Sequence, residues 1–496
     1  MVATRFTPPD PGAKYEDQSQ KTRLREVIEE SATETPSGED GSMEGAVAGR
    51  DWLQIARSAF NDSTDYFEAN HRAQQERNLN LFQSRHPPGS KYATEDWKNR
   101  SKLFRPKTRA GVRRSEAAAA AAFFTTQDVT SVQASDDNDP KQQASAEIAK
   151  ELLQYRLTKT IPWFLTLIGA WQSTRVSGVI VSRQSWIYEQ RVKGKKLQPV
   201  VDPMTGQPML GDFSIPIMEE DDDIEVVRDE PEIKLIPIEN VRFDPAADWI
   251  DPVNSSPYLI VLHPVYVIDA KARMKKIDPK TQQPEWKKLD DATLLKARTG
   301  SVDAVRMARQ GGNQDATADT RPLSDFDIIW VHENFIRGED GDVVYHTVGT
   351  QAMLTEPKPV EEVYHFDDVR PYVMGRSQIE AFRAIPASAV ELGQDLQVMA
   401  NEVVNQRIDN VKLAMNARYF ARRGTDVDYE SLKRNVSGSV TLMKNPESDV
   451  VVHRAPDVTS SAYVEQDRLN VDFDELTGIF SAGSVQSNRS LNETVG

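Results

Sequence analysis

Residues 364–423 restrict the architecture more than any other stretch. An extended aromatic and proline segment, Tyr364 to Met374, runs through Gly375 into a long polar segment of helical character. There, apolar residues Phe382, Ile385, Ala389, Leu392, Leu396, Met399 and Val403 recur at alternating steps of three and four. That spacing predicts one helix with a narrow a/d seam that packs lengthwise on another helix, with Leu392, Leu396, Met399 and Val403 as its packing positions. The next seam positions are Gln406 and Asn410, so the stripe ends before the helix does. Glu391, Gln394, Gln397, Asn401, Glu402, Asn405 and Asp409 fill the other faces. A helix of about 30 residues spans about 45 Å. One so thinly apolar suits a multi-subunit assembly with wet surfaces better than a single globular core.

At 496 residues the chain has room for two or three domains. Mean hydropathy is −0.56, low for an enzyme of this size. No stretch approaches the roughly 18 apolar residues of a membrane span, and the N-terminus lacks a signal-peptide core. With no cysteine, disulfides, thiolate zinc sites and cysteine nucleophiles are excluded. A net charge of −16 argues against a free DNA-binding protein. It is compatible with a conduit, where each phosphate gripped would add friction.

Residues 1–48, rich in Pro, Glu, Ser, Thr and Gly, read as a disordered arm. A helix is expected from Asp51 to about Gln83, ended by Pro87-Pro88-Gly89. Lys98 to Arg114 then carries eight basic residues and no acid, before an alanine-rich helix. Lys102, Arg105, Lys107, Arg109, Arg113 and Arg114 are expected to meet a neighbouring subunit's acidic surface, or else capsid or DNA phosphates. Residues 144–176 hold the densest apolar run and read as the core of the largest domain. A β-rich section follows from Gly178, with a long hairpin excursion over Lys193 to Asp223. The acidic run Glu219 to Asp223 reads as a solvated charge cluster. Strands are expected at 224–227, 232–238 and 258–262, a helix near 267–276, and helical potential from Trp286 to Arg309. An antiparallel hairpin comes next, Phe326 to Arg337 and Asp342 to Gly349, turning at Gly338. Tyr463 to Thr477 is a second amphipathic helix, with Leu469, Phe473 and Leu476 on one face.

Catalytic signatures are scarce. There is no phosphate-binding loop, no H-E-x-x-H and no G-x-S-x-G. His332 and His346 fall on opposite strands of the hairpin, which makes them a candidate metal pair or, more simply, surface residues. Asp244, Asp248 and Asp251 invite a magnesium site, but turn chemistry explains them more simply.

The order of RPYVMGRSQIE, ELGQDLQVMANEVVNQRIDN, TDVDYESLKRNVSGSVTLM and DFDELTGIFSAGSVQSNRSLNETVG resembles portal (head-to-tail connector) proteins of short-tailed bacteriophages. The likeness covers about a third of the chain, from Asp327 to Gly496; larger portals continue well beyond this motif. It implies an α+β, ring-forming fold: a wing domain over 49–264, a first stem helix and mobile loop over 265–321, and a clip-like β hairpin over 322–373. A long stem or channel helix over 374–423 and a return to the wing with the start of a channel loop over 424–496 would complete it. The resemblance further implies a dodecamer in the virion, at one capsid vertex. It would pass double-stranded DNA and dock the major capsid protein, scaffold, terminase motor and tail adaptor, with no cofactor and no membrane. Gln486, Asn488, Arg489 and Ser490 would then meet DNA. The competing readings are a metal-dependent nucleic-acid-processing enzyme or its accessory subunit, and another virion protein such as an adaptor or core protein.

Overall fold

Three consecutive strands whose residues are buried on both faces form the centre of the molecule. The computed structural model describes residues 50–125, 130–136, 138–199, 218–277, 284–298, 309, 322–339, 341–364, 369–415, 418–423, 427–434, 440–445, 447–453 and 460–477. Trp52–Gly496 is one compact unit, to which all the described helices and strands belong, and Met1–Asp51 is another. The expected N-terminal arm, the hairpin tip and the four C-terminal DNA candidates lie outside the described residues.

Helix α1 (Trp52–Phe67) runs through a single π-helical turn, Glu68–Arg72, into α2 (Ala73–Phe82). Helix α3 (Lys107–Phe123) contains the alanine run, α4 spans Pro140–Tyr155, and α5 spans Trp163–Ser177. Strand β1 (Val179–Pro199) pairs antiparallel with β2 (Met218–Ile236), from Val181 opposite Ile236 to Pro199 opposite Met218. Over its described residues the excursion is therefore one long ribbon, and the two strands expected around 224–238 are parts of β2. Along it Lys195 and Lys196 stand opposite Asp222 and Asp221.

The central sheet runs β3 (Val241–Phe243), β4 (Tyr258–Tyr266), β5 (Ile328–Arg337), β6 (Asp342–Val348), β7 (Ala352–Met353), with β8 (Lys358–Pro359) also on β6. Side chains alternate across a strand. Trp330 of β5 packs with Ile260, Leu262 and Phe60 of α1, while Phe335 joins Val179, Val181, Leu259, Val261 and Tyr372 on the opposite side. Helices α6 (Val267–Lys275) and α7 (Asp291–Lys296) close the far end through Val267, Ala270, Met274 and Leu294, around Trp286.

Two expectations change here. The hairpin is not a small unit apart from the wing: β4 pairs with β5 over nine positions, from Tyr258 opposite Ile336 to Tyr266 opposite Ile328. A boundary between 264 and 322 cuts this sheet. Nor is a long first stem helix found over 265–321 among the described residues; its helices there are short and lie on the sheet.

Strand β9 (Tyr372–Arg376) pairs with β1, from Val179 opposite Arg376 to Arg183 opposite Tyr372. The helix therefore cannot start at Gly375. It starts at Ala389, where Ser388 and Glu391 form a reciprocal capping box, and α8 (Ala389–Leu392) leads past Gly393 into α9 (Gln394–Met415). Phe382 stands before the helix, 87% exposed. Strands β10 (Arg418–Ala421) and β11 (Val450–His453) form a separate pair, and α10 (Ser460–Thr477) packs along α9.

The dense apolar run of 144–176 is not a core. No residue of α4 is buried, and Ile148, Leu152, Tyr155, Phe164 and Leu165 are all exposed. Only Thr174, Val176 and Ser177 of α5 are buried. Apolar density marks a surface that must be covered; it does not say that the same chain covers it.

Candidate functional site: a polar ladder on the long helix

The buried residues of α9 are Gln397, Ala400, Asn401, Val404 and Asn405. This face is rotated by about one residue from the apolar seam. Leu392 and Met399 remain 49% and 45% exposed, and Leu396 and Val403 are half-buried at the edge of the face. Carboxamides, not the expected apolar side chains, occupy the centre of the packing surface.

Those carboxamides, with the Asp409 carboxylate, hold an extended strap, residues 101–106, antiparallel to the helix. Asp409 Oδ1 accepts the Ser101 N–H at 2.9 Å, and Asn405 Oδ1 accepts that of Leu103 at 2.8 Å. Asn401 Oδ1 accepts the Arg105 N–H at 2.8 Å, and Gln397 Oε1 that of Thr108 at 2.9 Å. Asn405 Nδ2 also donates to Leu103 O at 2.9 Å, and Gln397 Nε2 to Arg105 O. The match is geometric. Four residues of helix rise about 6.0 Å, and two residues of extended chain about 6.6 Å, so every fourth side chain meets every second amide. The last step covers three residues, from Arg105 to Thr108, and the longer glutamine spans it. Thr108 lies in the first turn of α3, so Gln397 also satisfies one of that helix's orphan N–H groups.

The ladder explains the placement of the basic segment. Its backbone is fixed on α9 while its side chains divide. Lys102, Arg109 and Arg113 are exposed; Arg105, Lys107 and Arg114 are half-buried. Arg114 Nη2 pairs with buried Asp474 of α10 at 2.6 Å, and Arg113 with Glu116 at 2.7 Å. These two acidic partners lie within the chain, not on a neighbour. Burial lowers the affinity of Lys107 and Arg105 for their protons, aided at Lys107 by Arg105 and at Arg105 by Arg407. On α10, Leu469 and Phe473 are buried as expected, while Leu476 is 44% exposed. Arg407 of α9 donates to Gln466 at 2.7 Å and lies over the Tyr463 ring.

A second polar centre, unforeseen in the sequence, joins the ribbon to the central sheet. Glu333 of β5 is fully buried. It accepts from Tyr372 and Tyr364 hydroxyls, meets His263 Nε2 at 2.9 Å and Arg183 Nη2 at 3.4 Å. Burial alone would raise its pKa, but Arg183 and the His263 hydrogen bond outweigh it and hold the carboxyl well below its usual range. His346 stands opposite Glu333, its Nε2 3.9 Å from Oε1, whereas His332 stands opposite Thr347 and stacks on Phe60. The two histidines thus point to opposite faces and form no metal pair; His332 is buried, not on the surface.

Asp244 and Asp248 accept the N–H groups of Ala246 and Ile250, and Asp251 caps the turn Pro252–Ser255 through Asn254. Each carboxylate closes its own turn. Among the described residues no cluster of three or more His, Asp or Glu is placed to hold a metal, and no helix is long and apolar enough to cross a membrane.

The described residues thus form a mixed helix–sheet body with a long helix whose packing face is polar and an apolar surface left uncovered. The chain belongs to the family of the phage SU10 portal protein, whose family model matches residues 52–496. No curated protein matches the chain.

Proposed function

We propose that this chain is the subunit of a dodecameric portal ring at one capsid vertex, a passive channel for double-stranded DNA during packaging and ejection. The observation that carries this reading is the portal-family match over nearly the whole chain. The exposed apolar face of α4 and the start of α5 supports it, because a 16-residue helix with no buried residue gains little stability alone. In the ring, α9 lines the channel with its solvent-facing side and keeps the strap and α10 behind it. A net charge of −16 keeps a duplex from adhering to the wall. The sequence has no phosphate-binding loop, so the packaging ATPase is a separate terminase protein that docks on the ring, as do capsid protein, scaffold and tail adaptor. Gln486, Asn488, Arg489 and Ser490 are proposed to touch DNA through non-specific polar contacts.

Negative-stain electron microscopy with light scattering on the same purified sample tests the reading. Rings with a central hole and a mass near twelve subunits are expected. A compact dimer or tetramer without a hole overturns it.

A further inference from the structure

A cavity of about 400 Å³ opens between the π-helical turn, β3 and the loop 382–386. Its walls carry the rings of Tyr66, Phe67, His71 and Phe382. One polar group at its lining lacks the partners its burial calls for, and one buried cation is held by neutral partners alone. Gln75 is 6% exposed, and neither its Oε1 nor its Nε2 has a hydrogen bond. Arg242 is 2% exposed, and among the described residues it forms no ion pair. Its Nη1 donates to Glu239 O and Val241 O and its Nε to Thr64 Oγ1, while Nη2 donates to nothing described. The guanidinium lies over the Phe67 ring, a weaker partner than a carboxylate. Burial pulls its pKa down to about 10 against the opposing charges of Glu68 and Glu239, whose carboxylates do not touch it, so it still carries its charge at neutral pH.

A buried cation with no carboxylate in contact, its charge offset only at a distance by Glu68 and Glu239, and an orphaned buried carboxamide each cost stability, and a single ligand can relieve both. Neighbouring polar groups are already engaged: Arg383, the other cation of the lining, pairs with Glu380 at 2.6 Å, Asn78 donates to Ser388, Gln74 to Asn78 and Gln394, and Glu391 closes its capping box. Two further features accompany the cavity. The π-turn is a distortion frequent at functional sites. Phe382 has φ +65° and remains 87% exposed at the rim, a strained conformation with only a tilted ring contact to Trp249, at 6.0 Å, in return.

We infer that this cavity binds an acidic side chain presented on an extended protein segment, with its carboxylate on Arg242 and its peptide unit on Gln75. A peptide offers both an N–H and a C=O, which a carboxamide with two free ends requires and an inorganic anion does not supply. The molecule already uses this pairing: Asn405 accepts Leu103 N–H and donates to Leu103 O. The aromatic walls suit the apolar stem of such a side chain. The inference goes beyond the portal reading and does not depend on it.

The probe is N-acetyl-aspartate N-methylamide, titrated into the full chain by ligand-observed NMR. Controls are the asparagine analogue and inorganic phosphate, with Gln75→Leu as the variant. Saturable binding of the aspartate probe is expected, at least about tenfold tighter than that of the asparagine analogue or of phosphate. Gln75→Leu should weaken it at least about tenfold with no loss of melting temperature, since it removes only an unpartnered amide. No saturable binding, equal binding of phosphate, or unchanged affinity in Gln75→Leu each overturns the assignment. If Gln75→Leu fails to fold, Phe382→Gly on the rim replaces it. Relief of the strained φ should then raise the melting temperature while loss of the ring weakens the probe, and unchanged affinity again overturns the assignment.

Discussion

Replacing Asn405 by alanine removes both hydrogen bonds that tie Leu103 to α9, one at 2.8 Å and one at 2.9 Å. A net value of about 1 kcal/mol per bond gives a loss of about 2 kcal/mol, concentrated in the strap. At 1.4 kcal/mol per factor of ten, the Leu103 amide should exchange with deuterium about 30 times faster. Met399→Ala supplies the contrast. Its side chain is 45% exposed, so its cost should stay within about 0.5 to 1 kcal/mol and leave strap exchange unchanged. A helix packed through its apolar seam would give the reverse order, with Met399→Ala costing about 2 to 5 kcal/mol and Asn405→Ala near zero. Native-state hydrogen exchange read by mass spectrometry on peptides covering 100–108, with urea midpoints for both variants, separates the two. Unchanged strap protection in Asn405→Ala would refute the ladder.

Glu333→Gln leaves the half-buried Arg183 without its counter-charge and two tyrosine hydroxyls without their charged acceptor, and should cost about 3 kcal/mol at pH 7. Because the Glu333 carboxyl is held below its ordinary pKa, its contribution is present above about pH 4.5 and is lost as the pH falls through the lower folded value. Melting curves of wild type and variant should therefore converge in acid. Burial, with Arg242 adding repulsion, pulls His332 down to about 3. The unfolded chain takes up that proton below about pH 6.5 while the folded one refuses it, so about 4 to 5 kcal/mol is lost between pH 6.5 and 3. His332→Phe should flatten that part of the stability–pH curve, and an unaltered slope would refute the assignment. At Gly178, φ is +86° and a Cβ would lie 2.3 Å from Pro386 O; Gly178→Ala should cost about 2 to 4 kcal/mol in thermal unfolding. Gly194→Ala, with open space around it, should cost little.

The chain's local chemistry was legible where a pattern reports its own backbone. The β5–β6 hairpin, the Asx turns at Asp244 and Asp248, and the Leu469 and Phe473 face of α10 follow from alternation, turn residues and helical spacing. The portal family was legible in the order of short motifs, which survives even where each motif is weak. Tertiary structure decided which face of a pattern is used. Gln397, Asn401, Asn405 and Asp409 look like a solvated helix side until an extended segment nearly 300 residues away supplies amides at matching spacing. Glu333 looks like a polar break in an apolar strand until Arg183, His263, Tyr364 and Tyr372 arrive from other elements. Conversely, Ile148, Leu152 and Leu165 look like a core, yet no described part of the chain covers them. Periodicity fixes a helix or strand because its causes are local. Burial depends on which partner arrives, and that partner is chosen by contacts between residues far apart in the chain.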